Sequence, residues 1–499
     1  MVLNRGSAAE PPTLDPTLGA GSLAAPIIAD LFSGLLDRGP DGTLVPGVAE
    51  SWTVSEDGRT YTFVLREGLR WSDGRELTAD DFVYSYRRLL DPATASRLVG
   101  LFTPIRNARA ITARQQPPDS LGVGAPDDRT VVFELEQRTP YFLELVGNVR
   151  VAPVPRHVIE AEGRAWTRPG KMVGNGAFVL SARVPQSYLR LDKNPRYHDA
   201  QAVRLDQVVW HPTQNLATSF KRFRAGELDI VLNFPPAEID WIRENLGDSL
   251  HITANLGVYF LVLNTGEPPF DDLRVRQALS LAVDRDAIAN RLLRTGVRPA
   301  YGFVTPAITD YDGVEIPERQ LEFPARQARA RELLAAAGYG PGKPLEVSLI
   351  YDTNEENRKV MVAIAAMWQA IGVRTAITDV EFRMLNRQIR TRDYGVARWF
   401  YIASFDDPYA MLQLFTSNNP NNWPNWRSAE FDELLAASNQ VMDRAERLAL
   451  LADAERLMLS QHPVLPISFY VGRRLVSPRV GGWIDSPRGP PLSRYLWLE

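Results

Sequence analysis

The stretch that decides the class of fold is LEVSLIYDTNEENRKVMVAIAAMWQAIGVRTAIT at residues 345–378, followed by YGVARWFYI at 394–402. Segments 345–351, 373–378 and 394–402 are predicted to be strands. Between the first two, Asn354 is a suitable N-cap for a helix and Gly372 a suitable end, and a second helix lies before the third strand. Strands that alternate with helices indicate a mainly parallel sheet. We therefore predict an α/β lobe in the later part of the chain.

The chain before this stretch contributes two further helices and a smaller lobe. Helices are predicted at 273–295 and 325–337, since a glycine follows each. Residues 52–71 have the alternation of a hairpin with Asp57 and Gly58 at its turn. Thr78 then begins a helix whose first turn is acidic. The early segment is therefore predicted to be a small α+β lobe.

Length and composition favour an ordinary globular protein of several lobes. The chain has 499 residues, more than the ~250–300 at which a single core stops growing. Its formal net charge is only -4, so we expect no nucleic-acid partner and no anionic membrane partner. Cysteine is absent, which excludes disulfides, thiolate metal sites and a cysteine nucleophile within this sequence.

The chain has no recognisable targeting or membrane-spanning segment. Its first ten residues lack a basic stretch followed by an apolar one, as expected of a mature protein after signal-peptide removal. The longest apolar stretch, 360–373, is shorter than the ~20 residues of a membrane span. We expect a soluble protein.

Motifs for catalysis and for metal binding are missing. The five histidines are scattered without HxH or HExxH spacing, so no metal site is predicted. No GxSxG, P-loop or GxGxxG motif is present, and Gly174-Asn175-Gly176 fits a tight turn. We predict no catalytic residue and no cofactor.

Aromatic residues are concentrated at 394–426, around Arg398, Asp406 and Asp407. They are Trp399, Phe400, Tyr401, Phe405, Tyr409, Trp423 and Trp426. Such a mixture of aromatic and charged groups is typical of a pocket lining. The alternative for Trp399 or Phe400 alone is that the ring belongs to the core, because neighbouring strand residues face opposite sides. For the cluster we favour the pocket.

Several motifs resemble those of bacterial oligopeptide- and dipeptide-binding proteins, the solute-binding family 5 of ABC transporters. The early ones are LVPGVAESW (44–52), YTF (61–63), WSDG (71–74) and TADDF (78–82). The later ones are VGNGAF (173–178), FRAGELD (223–229), LNT (263–265) and RVRQAL (274–279). They follow the order of that family along nearly the whole chain.

The resemblance implies a periplasmic binding protein fold of type II, a three-lobed flytrap with two α/β lobes and an extra α+β lobe. By similarity, lobe I takes residues 1–36, 161–261 and 475–499, lobe II takes 37–160, and lobe III takes 262–474. A peptide or peptide-like solute would be enclosed between lobes I and III and delivered to the permease of an ABC importer. We expect a periplasmic monomer that is not an enzyme. The alternative is a hydrolase acting on a peptide-like ligand.

One residue departs from the pattern of the peptide-binding relatives. They hold the α-ammonium of the ligand with an aspartate just beyond the strand that passes through Arg398, whereas this chain has Ser404 there. A hydroxyl cannot neutralise a buried ammonium. Either Asp406 or Asp407 replaces the aspartate from a shifted loop, or the ligand carries no free α-amino group at that point.

The remaining candidate ligand contacts also come from the resemblance. Arg398 matches an arginine that helps to hold a ligand carboxylate, although a salt bridge within lobe III is equally consistent with the sequence. Phe382 falls near an aromatic position beside the ligand. Ser22, Asn233 and Phe234 fall in segments of lobe I that line the cleft. With Trp399 and Tyr401 from the aromatic segment, they complete the predicted site.

Overall fold

The computed structural model describes residues 1–18 and 21–499 and divides the chain into two compact units. The first unit contains Met1–Thr253 and Gly472–Glu499, and the second contains Ala254–Val471. The chain therefore enters the second unit once and leaves it once. None of the described helices is both long and apolar enough to cross a membrane. The predicted division into three lobes stays a prediction.

Among the described residues, the first unit has two sheets of four or more strands, besides two sheets of only two strands each. Its strands and helices up to the crossing are β1 (Val2–Ser7), α1 (Gly21–Leu31), β2 (Leu36–Arg38), β3 (Leu44–Pro46), β4 (Ala49–Val54), β5 (Thr60–Leu65), α2 (Ala79–Leu90), α3 (Ala108–Thr112), β6 (Val123–Asp127), β7 (Thr130–Glu134), α4 (Phe142–Val146), α5 (Arg156–Glu162), β8 (Phe178–Val184), β9 (Tyr188–Lys193), β10 (Gln207–Pro212), α6 (Leu216–Arg224), β11 (Ile230–Val231) and α7 (Ile239–Asn245). One sheet has the order β11-β1-β10-β9-β8, and the other has the order β4-β5-β7-β6.

The small sheet confirms the predicted hairpin. Strands β4 and β5 are antiparallel, with Trp52 opposite Phe63, and Gly58 at the turn has a φ of 66°. Thr78 is the N-cap of α2, and its backbone N–H donates to Oδ2 of Asp81 at 3.0 Å. The alternation of the strand and the polar residues of the first helical turn therefore fold as the sequence predicts.

Strand β12 carries the chain into the second unit. The later elements are β12 (Leu250–Leu263), α8 (Leu273–Leu281), β13 (Arg298–Pro299), α9 (Phe323–Ala336), β14 (Leu345–Asp352), α10 (Glu355–Gln369), β15 (Val373–Val380), α11 (Phe382–Thr391), β16 (Val396–Ile402), α12 (Tyr409–Leu412), α13 (Ala429–Ser438), α14 (Arg444–Gln461), β17 (Val464–Val476), β18 (Val480–Gly481) and β19 (Trp497–Leu498). The last two strands lie again in the first unit.

The sheet of the second unit confirms the predicted alternation of strands and helices. β14 is parallel to β15 on one side and to β16 on the other, and β16 is antiparallel to β12. Asn354 caps α10 by accepting hydrogen bonds from the backbone N–H groups of Glu356 and Asn357. Gly372, with a φ of 89°, follows the helix and lets the chain turn into β15.

The prediction of one continuous helix at 273–295 is wrong. Helix α8 ends at Leu281, and a separate π-helical segment covers Ala287–Leu293. The side chain of Asp284 explains the break, because its Oδ1 accepts a hydrogen bond from the backbone N–H of Ala287 at 2.9 Å. A carboxylate that accepts from the first free N–H groups begins a new helical segment.

Strand β12 of the second unit's sheet is buried on both faces. Along β12, Val258, Phe260 and Val262 belong to one hydrophobic core, while Tyr259, Leu261 and Leu263 belong to another on the opposite face. A parallel sheet with helices on both sides has this property. Exposed residues occur in the outer strands instead, such as Glu346 and Ser348 of β14 and Arg374 of β15.

Candidate functional site

The ends of three parallel strands form the candidate site. β14 ends at Asp352, β15 is followed by Phe382 at the start of α11, and β16 ends at Ile402. Because the three strands are parallel neighbours, these ends lie at one edge of the sheet. In open α/β sheets, ligands bind outside the carboxyl ends of the strands. We call this region the strand-end site, comprising Asp352, Phe382, Arg398, Phe400, Tyr401 and Ser404.

Strand β16 has an unpaired edge at this site. Against β12 it pairs along its whole length, from Val396 to Ile402. Against β14 it pairs only at Val396 and Ala397. Within residues 1–18 and 21–499, no other strand pairs with β16. The backbone of residues 398–402 therefore has no strand partner on one side. Arg398 and Trp399 are buried, so the part of this edge that an extended partner could reach begins at Phe400.

Arg398 is buried and makes polar contacts within the second unit. Its Nη1 donates to Oδ1 of Asp352 at 2.8 Å, and its Nη2 donates to the hydroxyl of Tyr470 at 2.8 Å. The guanidinium also lies 4.5 Å from the ring centroid of Tyr259 and 5.1 Å from that of Phe400. The salt bridge left open as an alternative by the sequence is therefore present, and Asp352 balances the charge of Arg398.

The aromatic segment divides between the core and the strand-end site. Trp399 is buried in one hydrophobic core, together with Trp423 and Trp426, and Phe405 is also buried. Phe382 is 42% exposed and stacks on Trp399, with ring centroids 5.9 Å apart and an interplanar angle of 6°. Trp399 is therefore a core residue, as the alternative interpretation of the sequence proposed. It contacts the strand-end site by stacking on Phe382.

Tyr401 and Ser404 lie together at the end of β16. Tyr401 is half-buried, whereas Ser404 is exposed in the turn that follows the strand. Their side chains are joined by a hydrogen bond, and burial raises the pKa of the Tyr401 hydroxyl. Ser404 therefore presents a neutral hydroxyl at the end of the unpaired edge.

Asp406 and Asp407 are both buried and engaged by other groups of the second unit. Oδ1 of Asp406 accepts from the backbone N–H of Thr309 at 3.1 Å, and Oδ2 accepts from its hydroxyl at 2.6 Å. Arg447 donates two hydrogen bonds to the carboxylate of Asp407, at 2.5 and 2.9 Å. Neither carboxylate is held ready for a ligand ammonium in this arrangement.

The predicted contacts of the early chain lie in the first unit. Phe234 is fully buried in a hydrophobic core with Phe220 and Ile242. Asn233 is half-buried, and its Oδ1 accepts from the backbone N–H of Phe234 at 3.0 Å. The side chain of Ser22 lies outside the described residues. The roles of these three residues in ligand binding stay predictions.

The sequence did not point to three polar partners in and around the strand-end site. Asp352, Thr309 and Arg447 contact the predicted residues but are separated from them by 46, 97 and 40 positions. Only the position of Asp352 at the end of a predicted strand could have indicated one of them. No group of three or more histidine, aspartate or glutamate side chains within the described chain could hold a metal ion.

The chain is similar to proteins of one family over most of its length. The sequence model described as "Bacterial extracellular solute-binding proteins, family 5 Middle" matches residues 43–423. The periplasmic murein peptide-binding protein MppA of Escherichia coli (strain K12) is 34% identical over 98% of this chain and 91% of its own length. The periplasmic oligopeptide-binding protein OppA and the probable deoxycholate-binding periplasmic protein YgiS of that strain are each 36% identical, covering 100% and 98% of this chain and 92% of their own lengths.

Solved structures agree with the sequence comparison. The murein tripeptide binding protein MppA of Escherichia coli has a TM-score of 0.86 at 34% identity, covering 100% of this chain and 98% of its own. OppA of Haemophilus influenzae in complex with RPPGFSPFR has a TM-score of 0.83 at 31% identity, with the same coverage. The fold is therefore that of the type II periplasmic binding proteins, and the chain belongs to family 5 of the bacterial extracellular solute-binding proteins.

Proposed function

We propose that this protein is the substrate-binding component of an ABC importer, which captures a peptide or peptide-like solute and delivers it to a membrane permease. Membership of the solute-binding family supports the binding role, and the names of MppA and OppA support a peptide-like ligand. We further propose that the protein does no chemistry on the ligand, acts as a periplasmic monomer and folds as the three predicted lobes.

The main structural support for a peptide-like ligand is the unpaired edge of β16. An extended peptide can add to such an edge as a further strand, so that its main chain supplies affinity and its side chains supply selectivity. Residues 398–402 offer one short row of backbone groups, and Phe400 and Tyr401 lie along it. The length of the free edge suits a short ligand backbone.

The charges of the strand-end site favour a ligand without a free α-amino group beside Ser404. Asp352 neutralises Arg398, and Asp407 is held by Arg447. An ammonium placed there would lose its hydration, and both of these carboxylates are already paired with an arginine. YgiS, 36% identical to this chain, carries the name of a ligand that is not a peptide. A blocked amine, an amide or a hydroxyl at this point meets no charge penalty.

The function is tested by looking for binding and for turnover in the same sample. Native mass spectrometry of the purified protein, with and without a mixture of free-amino and N-acetylated peptides, should show ligand adducts. The unbound fraction should contain the peptides unchanged. Accumulating cleavage products would support the hydrolase instead. A protein that retains neither a co-purified solute nor any added peptide would contradict the proposed ligand class.

A further inference from the structure

A cavity in the first unit is lined by none of the residues of the strand-end site. Its volume is about 490 Å³, within the range of about 300–1,000 Å³ typical of small-molecule sites. Its walls come from the loop before β10 and from the C-terminal segment, with Arg66 from the chain after β5. The lining groups that matter for binding are Arg66, Tyr197, Arg204, Arg494, Tyr495 and Trp497.

Arg494 supplies a buried and incompletely bonded cation to this cavity. The residue is 5% exposed. Its Nη2 lies 3.0 Å from Oδ2 of Asp37, and its Nη1 donates to the hydroxyl of Tyr197 at 3.0 Å. Its Nε has no hydrogen-bond partner in the described part of the chain. Asp37 is itself occupied, because it also accepts from Ser33 and Gly34. A buried donor of a charged group without an acceptor is costly.

Two more arginines give the cavity an excess of positive charge. Nε of Arg66 donates to the backbone oxygen of Gly47 at 2.8 Å, and Arg204 lies 4.4 Å from the ring centroid of Trp497. Neither forms an ion pair with a carboxylate among the described residues. The three guanidinium groups face two lining carboxylates, Asp37 and Asp199, so one positive charge is left uncompensated.

Aromatic rings stacked with arginines form part of the cavity wall. Trp497 in β19 pairs with Gly481 in β18, and a Cβ on Gly481 would come within 2.1 Å of its indole ring. The glycine therefore leaves the space that the indole occupies. Tyr197 and Tyr495 lie near the guanidinium of Arg494, at 5.9 and 5.3 Å from their ring centroids. Arginines beside flat rings suit a ligand that carries both a negative charge and a planar body.

We propose that this cavity is a second binding site, for a small monoanion with a flat apolar body such as an aromatic carboxylate. The carboxylate accepts from Arg66 and Arg204, the two lining arginines that are not buried, and offsets the excess positive charge to which Arg494 contributes. The planar body packs against Tyr495 and against the guanidinium plane of Arg204, which lies over the ring of Trp497. The site is independent of the solute proposed for the strand-end site.

Calorimetric titration with benzoate tests the proposal on the full chain. Wild-type protein should bind benzoate with a dissociation constant below about 10 mM, and Arg204→Gln and Arg66→Gln should each weaken that binding about tenfold. Both side chains are at least partly exposed, so the variants are expected to fold; Arg494, which is buried, is left intact. Arg383→Gln, which removes an exposed arginine of α11 in the second unit, should bind benzoate as the wild type does.

Two further probes and one further variant separate charge, shape and location. Benzyl alcohol keeps the ring without the charge, and inorganic phosphate keeps a charge without the ring, so both should bind at least about tenfold more weakly than benzoate. Equal binding of benzyl alcohol or phosphate would overturn the proposed ligand class. Absence of benzoate binding, or loss of binding in Arg398→Gln with retention in Arg204→Gln, would overturn the site itself.

Discussion

At the scale of single residues, the ion pair between Arg398 and Asp352 is the first feature to test. Both side chains are largely withdrawn from water, and their charged atoms lie 2.8 Å apart. Removing one partner leaves the other charge buried and uncompensated. Arg398→Ala is therefore expected to lower the free energy of unfolding by about 3 kcal/mol in urea denaturation. Adding Asp352→Asn should recover part of that loss.

Arg383→Ala is the matched control for this measurement. Arg383 is an exposed arginine of α11 that forms no ion pair in the described chain, so its removal should change stability by less than about 0.5 kcal/mol. A different outcome for Arg398→Ala would indicate a direct role in ligand binding. If Arg398→Ala keeps its stability and loses about 2–5 kcal/mol of affinity for acidic ligands, the arginine holds a ligand carboxylate.

The residue at position 404 is expected to determine whether the protein binds ligands with a free α-amino group. Ser404→Asp should strengthen the binding of free-amino peptides by at least about 1 kcal/mol, because it places a carboxylate beside the ligand ammonium at a position that is exposed until a ligand covers it, and it should weaken the binding of the native ligand. Ser404→Asn is the neutral control and should strengthen neither. Calorimetry with peptides and their N-acetylated forms measures both effects. Micromolar binding of free-amino peptides alone by the wild type would show that the ammonium has another partner.

The residues of the site could be predicted from sequence only in part. Arg398 and Ser404 could be placed at the end of β16 because each has a fixed position relative to a predicted strand and a family motif; their contact with a ligand stays a prediction. Their neighbours could not be found in that way. Asp352 meets Arg398 because two strands separated by a helix become neighbours, and Arg447 meets Asp407 through a later helix. Such contacts depend on tertiary packing, which a single sequence does not record.

At the scale of elements, α14 contributes the buried carboxylate of Glu455, which binds the connection between β13 and α9. Oε1 of Glu455 accepts from the backbone N–H groups of Phe303 and Val304 at 2.8 Å, and Oε2 accepts from the hydroxyl of Tyr311 at 2.5 Å. Burial raises the pKa of Glu455 to about 7, although these hydrogen bonds oppose the rise. The helix thereby fixes the long connection between β13 and α9.

This carboxylate gives the protein a pH-dependent stability. In the unfolded chain Glu455 loses its proton near pH 4.5, its ordinary value, whereas the folded protein retains the proton up to about pH 7. The folded state therefore binds more protons between these values, and the contribution of Glu455 to stability falls as the pH rises. We expect a loss of up to about 3 kcal/mol across this interval.

Glu455→Gln isolates that contribution, because the amide remains neutral and keeps one acceptor oxygen. Denaturation series between pH 5 and about 8 should show a flatter pH profile for the variant than for the wild type. Glu446→Gln is the control, since Glu446 is exposed on the same helix and should leave the profile unchanged. Identical profiles for the wild type and Glu455→Gln would show that the carboxylate ionises at its ordinary pKa.

Elements with local signals were predicted well, and those set by tertiary contacts were not. The order of strands and helices at 345–402 follows from apolar segments, a cap at Asn354 and a glycine at 372, all of which act within a few residues. The interruption of the helix predicted at 273–295 depends on the carboxylate of Asp284, which looks like an ordinary surface charge in the sequence. The core placement of Trp399 likewise depends on which face of β16 is covered.

At the scale of the whole molecule, two crossings of the chain join the two units. By resemblance, lobe III would close onto lobe I when the ligand binds, as a two-crossing connection permits. We expect the true ligand to lower the radius of gyration in small-angle scattering, and a ligand-saturated protein with an unchanged value would contradict closure. Local sequence patterns predicted that one lobe is α+β and another is α/β. The residue boundaries of the lobes rest on the family resemblance alone.

The unpaired edge of β16 also matters when no solute is present. Exposed strand edges are the places where one folded chain can recruit another, and Ile402 at the end of this one is 48% exposed. In the part of the chain that the structure describes, five residues of this edge lack a strand partner, too short a row to template a long intermolecular ladder. A bound solute that pairs with this row would also occupy the place where two copies could join, so the cargo would protect its carrier from aggregation.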